Sequence, residues 1–190
     1  LRALGGGAAT AGSVGMFHSV GNTPEAPTLE AALGGREPHE VVEVTASDLR
    51  AARDRLCTAS GSALSSVCLG TPHYSVDEFQ NLVTLLTGRR VHTDVDFYVS
   101  TGRSVLAELE LRGWADLLRS AGVTLVVDTC TYVSAVLADT TGTAMTDSAK
   151  WAWYAPGNLG VDVVFAGTSE CVESAVAGKV LLDETVWSGV

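Results

Sequence analysis

From about residue 40 onward, short apolar runs of strand length alternate with longer amphipathic stretches, and that alternation confines the chain to one class of fold. "PHEVVEVT" (38 to 45) reads as a strand and "SDLRAARDRL" (47 to 56) as a helix capped by Ser47. "SSVCLG" (65 to 70) is a second strand, after which Ser75 can cap the helix "VDEFQNLVTLL" that closes at Gly88. "DVDFYVST" (94 to 101) is a third, followed by the helix "RSVLAELELRGWADLLRSAG" with a break at Gly113. "VTLVVDTC" (123 to 130) and "VDVVFAGT" (161 to 168) complete the set, and the helix "SECVESAVAG" follows the last. The succession predicts an α/β fold: a mainly parallel sheet with flanking helices.

In an open parallel sheet, ligands bind beyond the carboxyl ends of the strands, where loops converge over a rigid base. Cys130 closes one predicted strand, Cys68 stands next to the end of another, and Cys171 lies in the first turn of the helix after a third. Cys57 sits apart, at the end of a helix. A single buried cysteine is ordinarily a small hydrophobe. Three on one rim allow a metal site with an open position, and a helix N-terminus favours the thiolate that would bind it.

Composition narrows the partners. With 22 acidic residues against 12 basic, the net charge is −10, which argues against nucleic acid or an anionic membrane surface. No run reaches the roughly 18 apolar residues that span a bilayer. Four scattered cysteines without CxxC spacing suit a reducing, cytoplasmic setting. "GGGAATAGS" lacks the lysine of a phosphate-binding loop. Because the chain opens on Leu1 with sequence typical of a domain interior, it is expected to be a fragment.

Five segments, in order, carry a resemblance: "SVGMFHSVGNTPEAPT" (13 to 28), "CLGTPHYSVDE" (68 to 78), "VDTC" (127 to 130), "AMTDSAKWAWYAPGN" (144 to 158) and "ECVESAVAGK" (170 to 179). Together they resemble the catalytic large subunit or domain of the aconitase X family. The resemblance implies an aconitase-like three-layer domain, of which residues 1–190 would be the C-terminal part, lacking the N-terminal half and the small swivel domain. It implies a hydro-lyase that dehydrates a small hydroxy acid with an iron or iron-sulfur centre, completed by a swivel-domain partner. The expected substrate is cis-3-hydroxy-L-proline. Mevalonate 5-phosphate is the alternative, and a non-catalytic truncated or structural subunit is a third reading.

The resemblance puts forward Cys68, Cys130 and Cys171 as metal ligands. Ser75 and Ser148 become candidate bases, although "S-x-x-E" through Glu78 equally marks Ser75 as a helix cap, and the two roles can coexist. Lys150, one of only two lysines, is a candidate cation for the substrate's anionic group, with an ordinary surface lysine as the alternative. His18, His73 and Glu25 complete the substrate-binding candidates; each histidine also reads as structural, and Glu25 as part of the Thr23-Pro24-Glu25 turn.

Overall fold

The computed structural model describes residues 2–133, 136–183 and 185. Its centre is a sheet of five parallel strands: β1 (Ser66–Tyr74), β2 (Asp96–Thr101), β3 (Val123–Val127), β4 (Thr143–Thr146) and β5 (Asp162–Phe165), in the order β3-β2-β1-β4-β5. Helices α1 (Arg2–Gly12), α2 (Leu29–Leu33) and α3 (Ala46–Leu56) precede the sheet. Helices α4 (Val76–Leu86), α5 (Arg103–Leu111), α6 (Trp114–Ser120), α7 (Ala149–Leu159) and α8 (Thr168–Ala177) are interleaved with its strands.

Strand period two sorts the core into two layers. Val67, Leu69, Phe97, Val99, Met145 and Val164 point to one face, where α4, α6 and α8 bring Phe79, Leu82, Leu118 and Val172. Cys68, Tyr98, Ala144 and Val163 point to the other, against Trp151, Ala152 and Ala155 of α7. The result is the expected helix–sheet–helix sandwich. On the first face, Arg89 makes a bidentate pair with Glu173 at 2.7 Å for each bond, linking the turn after α4 to α8. Gly113, with φ +71°, separates α5 from α6 where the sequence predicted a break.

The strand order turns back on itself. From β1 the chain builds outward through β2 to β3, then returns across the sheet to place β4 and β5 on the opposite side of β1. Strands β1 and β4 pair only at Ser66↔Ala144 and Val67↔Met145, so a crevice opens between them toward their carboxyl ends. This reversal is where open α/β sheets bind ligands.

Several boundaries differ from the sequence reading, each for a physical reason. Residues 38–45 form no strand: Val41, Val42 and Val44 are 82%, 69% and 62% exposed, because among the described residues no strand lies beside them to complete their hydrogen bonds. The cap of α3 is Thr45 rather than Ser47, in a capping box with Asp48. Strand β1 does not stop at Gly70 but bulges there and continues to Tyr74, which leaves Cys68 in mid-strand. Strand β3 ends at Val127, so Cys130 lies beyond the strand end. Strand β4 and helices α1 and α7 were not legible: β4 is only four residues long, three consecutive glycines weaken α1, and Pro156 and Gly157 read as helix breakers inside α7.

Candidate functional site

The crevice between β1 and β4 holds a cavity of about 340 Å³. Its walls come from the ends of three strands: Thr71, Pro72 and Tyr74 from β1, Asp147 and Ser148 just past β4, and Phe165 to Thr168 at the end of β5 and start of α8. A roomier groove of about 650 Å³ lies between α1, α3 and α7, against Leu56 and Trp153, but Arg55 is its one titratable side chain among the described residues. The smaller cavity is therefore where chemistry can be done.

Its polar residues form a connected set. The Tyr74 hydroxyl donates to Asp147 Oδ2, and the Thr168 hydroxyl donates to the same oxygen at 2.9 Å. Two hydroxyl donors thus converge on one oxygen of the carboxylate. Tyr74 is only 5% exposed. Burial first, and then the charge of Asp147, push its phenol far above the ordinary range, so it remains a protonated donor. The Thr101 hydroxyl donates to the Tyr74 carbonyl at 3.0 Å, and the Phe79 ring packs edge-on against the tyrosine at 5.6 Å.

The two candidate serines are both helix caps. Ser75 donates to Glu78 Oε2 at 2.8 Å and accepts from the Glu78 amide, closing the capping box of α4; the cavity wall includes Glu78 but not Ser75. Ser148 lines the cavity, where its hydroxyl accepts from the Trp151 amide at 3.0 Å and donates to the Thr71 carbonyl. Thr71 itself is 2% exposed, and its side-chain hydroxyl is buried with no hydrogen-bond partner among the described residues. An unmet buried hydroxyl costs about 1–3 kcal/mol.

The cysteines do not come together. Cys68 is buried among Tyr98, Val126 and Trp151 on the α7 face, where burial pushes its thiol up to about 12. Cys130 is partly exposed and packs against that same cluster. Cys171 is buried on the opposite face with Phe79 and Leu82, its thiol raised well above the ordinary range by burial and then by the charge of Asp147. Among the described residues, no group of three or more His, Cys, Asp or Glu side chains is arranged to hold a metal. The three thiols therefore divide between the two layers of the core, Cys68 and Cys130 on the α7 side and Cys171 on the other.

The remaining candidates stand outside the cavity wall. His73 Nε2 donates to the Thr129 carbonyl at 3.2 Å, holding the loop after β3. Lys150 is the second residue of α7 and partly exposed. His18 is exposed in the segment after α1, and Glu25 is exposed in the 23–26 turn that the Ala26 amide closes onto the Thr23 carbonyl at 2.9 Å. Tyr74, Asp147 and Thr168 escaped the sequence reading. The signal that could have found them is position, since each is a polar residue at the end of a short apolar run.

Comparison with known proteins assigns two stretches of the chain. Residues 64–177 match the model of the aconitase X third domain, and residues 1–54 that of the aconitase X second domain. Cis-3-hydroxy-L-proline dehydratase of Pseudomonas aeruginosa is 42% identical over 181 residues, covering 94% of this chain and 31% of that protein. Its namesake from Hypocrea jecorina is 36% identical, with 94% and 30% covered. The phosphomevalonate dehydratase large subunit of Methanothermobacter thermautotrophicus is 34% identical, with 87% and 40% covered. The chain thus spans about a third of the length of these curated relatives. A crystal structure of Thermococcus kodakaraensis aconitase X in its holo form shares the fold, with a TM-score of 0.59 at 23% identity over 68% of this chain and 33% of that one. Among the described residues, no helix is long and apolar enough to cross a membrane.

Proposed function

The chain belongs to the aconitase X family, and from that premise we propose that it forms the C-terminal part of the catalytic domain of a cytoplasmic hydro-lyase that dehydrates cis-3-hydroxy-L-proline. The observation that carries this reading is the cavity at the strand reversal, where a carboxylate and a protonated phenol face a space for one small molecule. Dehydration beside a carboxylate needs one group to take a proton from carbon and another to assist the departing hydroxide. Asp147, Tyr74 and Ser148 supply binding and proton-handling groups on this side of the cleft. Lys150, His73, His18 and Glu25 would contribute to substrate binding only once the rest of the enzyme brings the substrate to them.

An iron or iron-sulfur centre is the cofactor this reading implies; it would supply the Lewis acid for hydroxide departure. By motif, Cys68, Cys130 and Cys171 would hold it, Cys68 and Cys130 from the α7 side of the sheet and Cys171 from the other. The small swivel domain or subunit is the proposed partner that closes the cleft. Phosphomevalonate is the weaker substrate reading, because relatives with that activity in their names are less similar than the Pseudomonas aeruginosa hydroxyproline enzyme.

The test is to load the complete polypeptide that contains this chain with iron and sulfide, and to follow loss of each substrate by NMR. Turnover of cis-3-hydroxy-L-proline is expected. Turnover of mevalonate 5-phosphate alone would overturn the substrate, and turnover of neither would favour a structural subunit.

A further inference from the structure

The stretch before α3 has the composition of a strand and the surroundings of none. In residues 40 to 45, "EVVEVT", four of six side chains are β-branched. Every residue from Gly34 to Thr45 is exposed, and Val41, Val42 and Val44 keep 82%, 69% and 62% of their surface in solvent. No backbone N–H or C=O of residues 37 to 44 makes a hydrogen bond to another described residue. Both ends are nevertheless fixed. The Gly35 and Arg36 amides donate to the Glu30 and Leu33 carbonyls at the close of α2, and Thr45 forms the capping box of α3 with Asp48. A row of free main-chain groups flanked by apolar side chains is a template for another strand.

We propose that residues 40 to 44 are a docking strand, which pairs through its main chain with an extended segment from outside residues 1–190 that carries basic side chains among apolar ones. Residues 1–54 match the aconitase X second domain, yet among the described residues that stretch holds helices only, while all five strands lie in the stretch matching the third domain. The pairing strand therefore comes from elsewhere. The chain covers 31% and 30% of the two hydroxyproline dehydratases, so such proteins have ample further chain to supply it. Charge defines its chemistry. Along a strand, Glu40 shares a side with Val42 and Val44, and Glu43 shares the other with Val41. With Glu37 these make three exposed carboxylates, whereas Arg36 turns its Nε back to the Leu33 carbonyl at 3.4 Å. A second copy would set these carboxylates against their own kind, in a chain that already carries a net charge of −10. Lysine or arginine opposite Glu40 and Glu43 is favourable for the same reason. The docked strand also braces the cavity: α3 begins where it ends, and Cys57 at the close of α3 accepts from the amide of Phe165, a cavity-wall residue, at 3.3 Å. Docking does not depend on which substrate is turned over, so it stands or falls apart from the proposed reaction.

The test is residue-resolved hydrogen exchange on the complete polypeptide. Paired on one side, a strand donates from every second residue, so either Val41 and Glu43 or Val42 and Val44 should exchange at least about 100-fold more slowly than in a free peptide of that sequence. The protection should be the same at low and high protein concentration. Exchange of both sets at the free-peptide rate would overturn the proposal, and protection that vanishes on dilution would give the strand to a second copy instead. The partner's charge is read from a double variant, Glu40→Lys with Glu43→Lys, at two exposed positions outside the cavity wall. Protection of the strand should fall by about 5-fold or more, with Glu40→Gln and Glu43→Gln together giving a smaller fall and the amides of α8 unchanged. Undiminished protection in the lysine variant, or a loss shared equally by α8, would overturn the assignment of a basic partner.

Discussion

The Tyr74 hydroxyl donates to the Asp147 carboxylate, tying the carboxyl end of β1 to that of β4 above the point where the two strands stop pairing. This bond spans the mouth of the crevice. Tyr74→Phe keeps the ring that packs on Phe79 and removes only the donor, so its cost should be that of a hydrogen bond to a charged partner, about 1.5–3 kcal/mol. A urea midpoint unchanged from the wild type would show that the bond contributes nothing to stability.

Gly70 makes the bulge in β1 possible. Its φ is +86°, and a Cβ built there would lie 2.2 Å from the Ser100 carbonyl oxygen on β2. Neither the backbone conformation nor the space tolerates a side chain. Gly70→Ala should therefore force β1 and β2 apart and destabilise the chain by more than about 3 kcal/mol, beyond the range of ordinary substitutions. Wild-type stability in this variant would mean that the bulge is not built as described.

Ser75 and Ser148 separate by location. Both cap helices, so each Ser→Ala change should cost about 1 kcal/mol in thermal or urea denaturation. Only Ser148 lines the cavity, so only Ser148→Ala should also lower turnover in the complete polypeptide. A turnover defect in Ser75→Ala larger than in Ser148→Ala would reverse this assignment.

The α/β class was legible because β1, β2, β3 and β5 carry the apolar runs that buried parallel strands require, and the capping box of α4 was legible from Ser75 and Glu78 alone. The strand order was not legible. Nothing local to "TAMT" says that its four residues lie between β1 and β5, yet that placement creates the crevice. The face on which each cysteine falls was not legible for a related reason. Being near a strand end in sequence does not fix the face on which a side chain falls, and alternation along β1 sends Cys68 to the side of the sheet opposite Cys171. Residues 38–45 show the converse limit: strand-like sequence forms no strand without a neighbour to pair with.

Thiol labelling reads the same geometry. Cys68 and Cys171 have no accessible surface and are held as neutral thiols, whereas Cys57 and Cys130 are partly exposed. Since the thiolate is the reacting species, iodoacetamide at pH 8 should modify Cys57 and Cys130 and spare the other two until the chain unfolds. Rapid modification of Cys68 in the folded chain would contradict its burial against Trp151.

Stability at high pH should fall more steeply than for a chain with ordinary thiols. Burial raises Cys68 from 9.0 to about 12, with Cys171 and Tyr74 also raised above their ordinary values. For each group the folded state keeps a proton that the unfolded chain gives up, so its contribution is complete below pH 9. For Cys68 it is then lost as pH rises through the window from 9 to 12, at about 1.4 kcal/mol per pH unit, and Tyr74 adds its own loss only above pH 10. Cys68→Ala removes one of these groups, and although the lost sulfur contacts lower stability at every pH, the slope between pH 9 and 11 should become shallower by about that amount. Urea midpoints across that window measure the slope directly. An identical slope in wild type and variant would mean that the Cys68 thiol titrates no differently in the fold than in the unfolded chain, and that its place beneath Trp151 is wetter than the packing around it indicates.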